Sequence, residues 1–142
     1  MRLLLWMVLF CCSPGYSQTL ILPTDVDLKA AYCTPVYRSR LDAMSSFDGS
    51  GNSPVAAEIV KNYRESVQSD MRRTQLYLLP RLAYLSPDSL LAAAKGGEED
   101  LAALSRTASA CKCETIECLG NCPSGPETAR LKTCDGASFL PF

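Results

Sequence analysis

The sequence predicts an all-α fold: a small antiparallel bundle of three or four helices with a disulfide-crosslinked, loop-rich C-terminal end. Three observations support this class. Apolar residues recur every three or four positions along much of the chain, as on the buried face of a helix. Ser-Pro pairs at residues 53–54 and 86–87 match helix starts, with serine as the cap and proline in the first turn. Five of the eight cysteines follow residue 110, which predicts crosslinks at that end of the chain.

The first helix is expected to begin at Thr24 or Asp25, because either side chain can accept a hydrogen bond from the free backbone donors of a helix N-terminus. Asp25 and Asp27 also suit the positive end of the helix dipole. Pro35 predicts a kink or a restart near Cys33, since proline removes one backbone hydrogen bond and clashes with the preceding turn.

The second helix has the longest regular pattern in the chain. It starts at the first Ser-Pro pair, and its apolar face extends as far as Leu85. Pro80 predicts a kink or a restart within it. The apolar positions of this face are Ala56, Val60, Tyr63, Val67, Met71, Thr74, Leu78, Leu82 and Leu85.

A third helix is expected to begin at the second Ser-Pro pair and to be interrupted at Gly96 and Gly97. The three acids at residues 98–100 would then begin a further helix, because carboxylates stabilise a helix N-terminus. The core-facing stripe predicted for that helix consists of Leu101, Leu104, Ala108, Cys111, Thr115, Cys118 and Cys122.

The first 17 residues have the pattern of a signal peptide. Arg2 supplies the positive charge, residues 3–10 form a short apolar run, and small, turn-forming residues lead to a cleavage site after Ser17. A membrane span needs roughly 20 apolar residues, and this run is much shorter. The mature chain, residues 18–142, is therefore expected to be a single domain that is exported to the periplasm or secreted, with no transmembrane segment.

Lipid attachment at Cys11 or Cys12 is disfavoured. A bacterial lipoprotein is cut directly before its modified cysteine, which follows small residues, whereas Phe10 precedes Cys11. Cysteine packs like a small apolar residue, so an apolar leader accounts for both side chains.

The composition excludes several classes of function. Lysine and arginine total 14 against 15 acidic residues, so there is no basic field to attract nucleic acid. The chain has no histidine, which removes the usual general base and the commonest metal ligand. No phosphate-binding glycine loop is present, so we expect no cofactor and no enzymatic activity.

The cysteines outside the leader are the candidate site residues. In an exported chain their even number predicts disulfides. The cluster between Cys111 and Cys122 also permits an alternative, a copper- or zinc-binding or redox protein that uses free thiols. The candidates are Cys33, Cys111, Cys113, Cys118, Cys122 and Cys134.

One pairing follows from the helical pattern. Cys33 lies on the first helix, and the stripe cysteines face the bundle, so a bond from Cys33 to Cys111 or Cys118 would join the first helix to the last.

The C-terminal residues 123–142 contain several prolines and glycines and are expected to form an irregular tail, with one helical turn around residues 127–132. Cys134 would pin this tail, most simply by closing onto Cys122 or Cys113.

The function expected from these patterns is that of a non-enzymatic binding or structural module. Its partner, a protein or a small molecule, is not identified by the sequence. A carboxylate-dependent hydrolase that uses Glu114 and Glu117, or the acids at residues 98–100, is a third hypothesis. It is disfavoured because a slim helical bundle rarely supplies the concave pocket that catalysis needs.

Overall fold

The computed structural model describes residues 20–45, 54–111 and 125–141. It confirms the predicted all-α class, since these residues form four α-helices and one 3-10 helix and contain no strand beyond a single bridge between Ile21 and Leu85. The elements are α1 (Asp25–Ser45), α2 (Pro54–Leu78), α3 (Pro87–Ala110), α4 (Pro126–Lys132) and a 3-10 helix (Asp135–Ala137).

Helix α1 is the centre of the bundle, because α2 and α3 both pack against it. It runs antiparallel to α2. Asp27, in its first turn, accepts a hydrogen bond from Arg81, just beyond the end of α2, whereas the carbonyl of Met44, near its last residue, accepts one from Arg64. Having neighbours on two sides, α1 buries residues over a wide arc of its surface: Asp27, Ala30, Ala31, Cys33, Val36 and Tyr37.

The predicted start of α1 is confirmed, and it has the reciprocal geometry of a capping box. The Thr24 backbone N–H donates to the carboxylate of Asp27 over 2.8 Å, and the Asp27 N–H donates to the Thr24 hydroxyl over 3.3 Å. The restart considered near Pro35 does not occur, since α1 is one helix from Asp25 to Ser45. Packing on two sides of α1 outweighs the single backbone hydrogen bond that Pro35 removes.

Helix α2 ends at Leu78, two residues before Pro80, and turns occupy residues 79–84. The break that Pro80 predicts is therefore confirmed, but no helix restarts before Leu85, which is itself buried. Of the predicted apolar face, Val67 in the middle of the helix and Thr74 one turn before its end are buried.

Helix α3 is continuous through Gly96 and Gly97, so the interruption predicted there is wrong. The glycines allow a close approach to α1: a Cβ atom at Gly97 would lie 2.3 Å from the carbonyl oxygen of Tyr32. The acids at residues 98–100 consequently lie in the middle of a helix instead of beginning one.

The core-facing stripe predicted for this helix is confirmed only at its start, where Leu101 packs against the apolar core. Its members Thr115, Cys118 and Cys122 lie outside the described residues. The buried residues of α3 are Leu90, Gly97 and Asp100, whereas Leu104 and Ala108 are exposed. The face in contact with α1 is set by the glycines and a buried acid, which an apolar pattern does not detect.

A disulfide joins Cys33 on α1 to Cys134, with an S–S distance of 2.06 Å and a separation of 101 positions in sequence. The predicted pairings of Cys33 with Cys111 or Cys118 are therefore wrong. Cys134 does pin the C-terminal region, but to α1.

The residues after residue 124 are more regular than the irregular tail that was expected. The single turn predicted around residues 127–132 is the seven-residue helix α4, which packs against α3. The disulfide lies in the main apolar cluster of the core, whose buried members are Cys33, Val36, Tyr37, Val67, Leu131 and Cys134.

Candidate ligand-binding clefts beside the central helix

The structure accounts for three of the six candidate cysteines. Cys33 and Cys134 are fully buried and bonded to each other, and Cys111, at the end of α3, is disulfide-bonded as well. The other three candidates lie outside the described residues: Cys113, Cys118 and Cys122. The predicted bond from Cys134 to Cys113 or Cys122 is wrong, because Cys134 is bonded to Cys33.

Among residues 20–45, 54–111 and 125–141, no three of the His, Cys, Asp and Glu side chains are grouped so that they could hold a metal ion. In the same ranges, no helix combines the length and the apolarity that crossing a bilayer requires.

The carboxylate of Asp100 is almost fully buried and is occupied by hydrogen bonds. Arg130 on α4 donates to it from Nε over 2.7 Å and from a second nitrogen, and the Tyr32 hydroxyl on α1 donates over 2.6 Å. The hydrogen bonds from Arg130 outweigh burial and lower the pKa of Asp100. The acid that was predicted to begin a helix instead joins α1, α3 and α4.

The hydrogen bond between Tyr32 and Asp100 also affects the pKa of the Tyr32 phenol. Burial, together with the adjacent Asp100 carboxylate, raises the pKa of Tyr32 to about 12. Tyr32 is thus a hydrogen-bond donor at neutral pH, and it donates to the same carboxylate oxygen of Asp100 as Nε of Arg130.

Asp27 is a second buried carboxylate, and it has no surface exposed to solvent. Burial alone would raise its pKa, but hydrogen bonds from Arg81 and Thr24 outweigh that effect and lower the pKa to about 2. The Arg81 guanidinium also lies 4.8 Å from the ring centre of Tyr77. Asp27 and Asp100 are therefore ionised and fully engaged, an arrangement that stabilises the fold and leaves neither group available for proton transfer.

The other acids proposed for hydrolysis are not brought together with Asp100. Glu98 and Glu99 are exposed, and Glu99 is 3.8 Å from the ammonium of Lys95 on the same helix. Glu114 and Glu117 lie outside the described residues.

An open cleft of about 320 Å³ lies where α1, α3 and α4 meet, and we call it the cationic cleft. Its wall is almost entirely carbon, although two of its side chains carry positive charge. It forms because α3 presents the small Ala93 opposite the long side chains of α1. The cleft is lined by Leu28, Lys29, Tyr32, Ala93, Arg130 and Thr133.

The two cations of this cleft are held differently. Arg130 is fixed by its two hydrogen bonds to Asp100, while just over half of its side chain stays accessible to solvent. The Lys29 ammonium lies 4.8 Å from the ring centre of Phe139, and none of the ion pairs among the described residues involves Lys29.

A second cleft, of about 290 Å³, lies between α1 and the first half of α3, and we call it the leucine cleft. It contains no charged side chain, and Leu82 and Leu91 at its edge are 50% and 69% exposed. The lining residues are Ala31, Thr34, Leu82, Pro87, Leu90, Leu91 and Ala94.

The apolar surface extends from the leucine cleft towards the N-terminal segment. Ile21 is hydrogen-bonded through its backbone to Tyr84 and Ser86, and exposed apolar residues lie along both segments. These exposed residues are Leu20, Ile21, Leu22, Leu79, Leu82 and Tyr84.

Sequence reasoning did not find either cleft. Lys29 and Arg130 are far apart in sequence and match no motif, and Ala93 and Ala94 look like ordinary helix-forming residues. The available signal was the pair of adjacent glycines in α3, which indicates a close helix approach when it does not indicate a break.

No protein-family model matches the chain, and neither the curated proteins nor the solved structures contain a significant match. The candidate site therefore rests on its own geometry.

Proposed function

We propose that this protein is an exported, non-enzymatic binding module that holds an apolar ligand, or the apolar part of one, in the clefts beside α1. The observation that carries the proposal is the pair of apolar clefts, of about 320 and 290 Å³, at the contacts of α1 with α3. These volumes are at the lower end of those of small-molecule sites, which are typically about 300–1,000 Å³ and mostly apolar.

The scaffold around the clefts supports binding because it is fixed before a ligand arrives. The Cys33–Cys134 disulfide and the contact of Asp100 with Arg130 and Tyr32 hold α1, α3 and α4 together. A rigid site loses less conformational entropy when it is filled than a mobile one.

Export is part of the same proposal. It is supported by the signal-peptide pattern of the first 17 residues and by a buried disulfide, because such bonds form and persist mainly in oxidising compartments. The absence of histidine from the chain, together with the engagement of Asp27 and Asp100, favours binding over catalysis.

Intact mass spectrometry of the exported protein, before and after alkylation, tests the first half of the proposal. We expect a mature chain that begins near Gln18 and has no alkylatable thiol. Two or more reactive thiols, or bound copper or zinc in the native spectrum, would favour the metal-binding or redox alternative instead.

An NMR titration of the ¹⁵N-labelled mature protein with 1-hexanol tests the binding half. We expect shift changes at the amides of Ala93 or Ala94, whose side chains line the two clefts. Ala93→Leu and Ala94→Leu are matched variants that fill one cleft each. Hexanol that perturbs neither cleft up to its solubility limit would overturn the proposal.

A further inference from the structure

We propose that the cationic cleft binds a small amphipathic carboxylate, with its apolar part against Leu28 and Ala93 and its carboxylate between Lys29 and Arg130. This inference rests on the proposed function and adds the chemical class of the ligand. It follows from the charges at the cleft, the way Arg130 is held, and the apolar wall.

The charges favour one anionic group. Lys29, Arg130 and Asp100 together carry a single net positive charge at neutral pH, because the Asp100 carboxylate is ionised and balances one of the two cations. One carboxylate would bring the cluster to neutrality. A dianion would exceed that balance, and a cation would be repelled.

The geometry of Arg130 favours a carboxylate as the anion. A guanidinium has five N–H donors in one plane, and Asp100 occupies donors on only one edge, through Nε and one terminal nitrogen. Asp100, which also accepts the hydrogen bond from Tyr32, fixes the plane of the guanidinium through these two nitrogens and leaves its remaining donors free. Carboxylates match the spacing of such donors well.

The wall requires the rest of the ligand to be apolar. The cleft surface is almost wholly carbon. A fully polar anion such as sulfate would leave this apolar surface hydrated, so its binding would gain no free energy from apolar burial. The modest volume of about 320 Å³ favours a short chain or a single ring over a long lipid.

The inference can be tested with three probes that share one six-carbon chain and differ only in the head group: hexanoate, 1-hexanol and hexylamine. Each is titrated into ¹⁵N-labelled mature protein at pH 7 in low salt. We expect shift changes at Tyr32, Ala93 and Thr133, with hexanoate binding about tenfold more tightly than hexanol, as a charge-assisted hydrogen bond implies. Hexylamine should bind most weakly.

Variants separate the charge from the apolar wall. Lys29→Gln should remove part of the roughly tenfold advantage of hexanoate, since Arg130 still donates to the carboxylate, and should leave hexanol binding unchanged. The matched control is Lys95→Gln, which removes the same charge from an exposed position on α3 and should change neither. Ala93→Leu should abolish binding of both probes while Lys29 and Arg130 stay in place.

Each outcome decides between the two proposals. Equal binding of hexanoate and hexanol in the cationic cleft would overturn the carboxylate inference and leave the proposed function standing, as would binding of all probes in the leucine cleft alone. Failure of every probe at both clefts would overturn both. If the control Lys95→Gln also lost the preference for hexanoate over hexanol, the preference would reflect the net charge of the protein. That result would refute a specific carboxylate site in the cationic cleft.

Discussion

The Tyr37 hydroxyl donates a 2.7 Å hydrogen bond to the backbone carbonyl of Cys134. The sulfur of Cys134 is bonded to Cys33, which lies one turn before Tyr37 on α1. Both Tyr37 and Cys134 are fully buried. Arg40, a further turn along the same face, forms a 2.7 Å ion pair with Asp135. One face of α1 therefore holds the C-terminal segment by a covalent bond, a buried hydrogen bond and an ion pair.

Removal of the disulfide tests how much of this attachment is covalent. The double variant Cys33→Ser/Cys134→Ser should lower the free energy of unfolding by about 4–5 kcal/mol, the value that the chain-entropy model assigns to a closed loop of roughly 100 residues. Urea unfolding followed by circular dichroism measures it. An unchanged unfolding curve would show that the bond does not stabilise the fold.

The hydrogen bond from Tyr37 can be tested without touching the disulfide. Tyr37→Phe leaves the buried carbonyl of Cys134 without its donor and should cost about 1–3 kcal/mol. Tyr63→Phe is the matched control, because Tyr63 on α2 is 49% exposed, and its loss should change stability by less than about 0.5 kcal/mol. Equal effects in the two variants would contradict the role assigned to Tyr37.

Alanine substitutions at the two adjacent glycines of α3 are expected to have opposite effects on stability. Gly97→Ala places a Cβ atom 2.3 Å from the Tyr32 carbonyl oxygen, so α1 and α3 must move apart, at a cost of about 1–3 kcal/mol. Gly96→Ala meets its nearest neighbour at 3.8 Å and should stabilise α3 by up to about 1 kcal/mol, since alanine favours helix. Thermal unfolding of both variants checks the difference. A tolerated Gly97→Ala would mean that the two helices are not in close contact there.

The lowered pKa of Asp27 predicts that the folded protein loses stability in acid. Its pKa in the folded protein, about 2, lies below the ordinary value of 3.8, so the ionised carboxylate stabilises the fold above about pH 4. That contribution, on the order of 2 kcal/mol, is lost as the pH falls from about 4 to about 2. Asp27→Asn should therefore be less stable than the natural protein at pH 6, with a smaller difference at pH 2.

Urea unfolding at a series of pH values measures this effect, and Asp42→Asn is its control, because Asp42 is an exposed acid on the same helix. A stability difference between the natural protein and Asp27→Asn that stays constant from pH 6 to pH 2 would rule out the carboxylate as its source.

Features that depend on a few neighbouring residues were determined by the sequence alone. The start of α1 is set by Thr24 and Asp27, which bond each other across one turn, and the start of α3 follows from a proline in its first turn. The end of α2 lies just before Pro80. Each of these is a local backbone requirement that the residues within one turn satisfy or violate.

Tertiary structure alone decided the partner of Cys33, the continuity of α3 through Gly96 and Gly97, and the position of Asp100. A helical pattern predicts which residues are buried, but it does not predict which distant residues they contact. Cys134 lies 101 positions from Cys33 and Asp100 lies 68 from Tyr32, and no local preference encodes such a contact. The two clefts belong to this second group, because a cleft is the space left between helices once their packing is fixed.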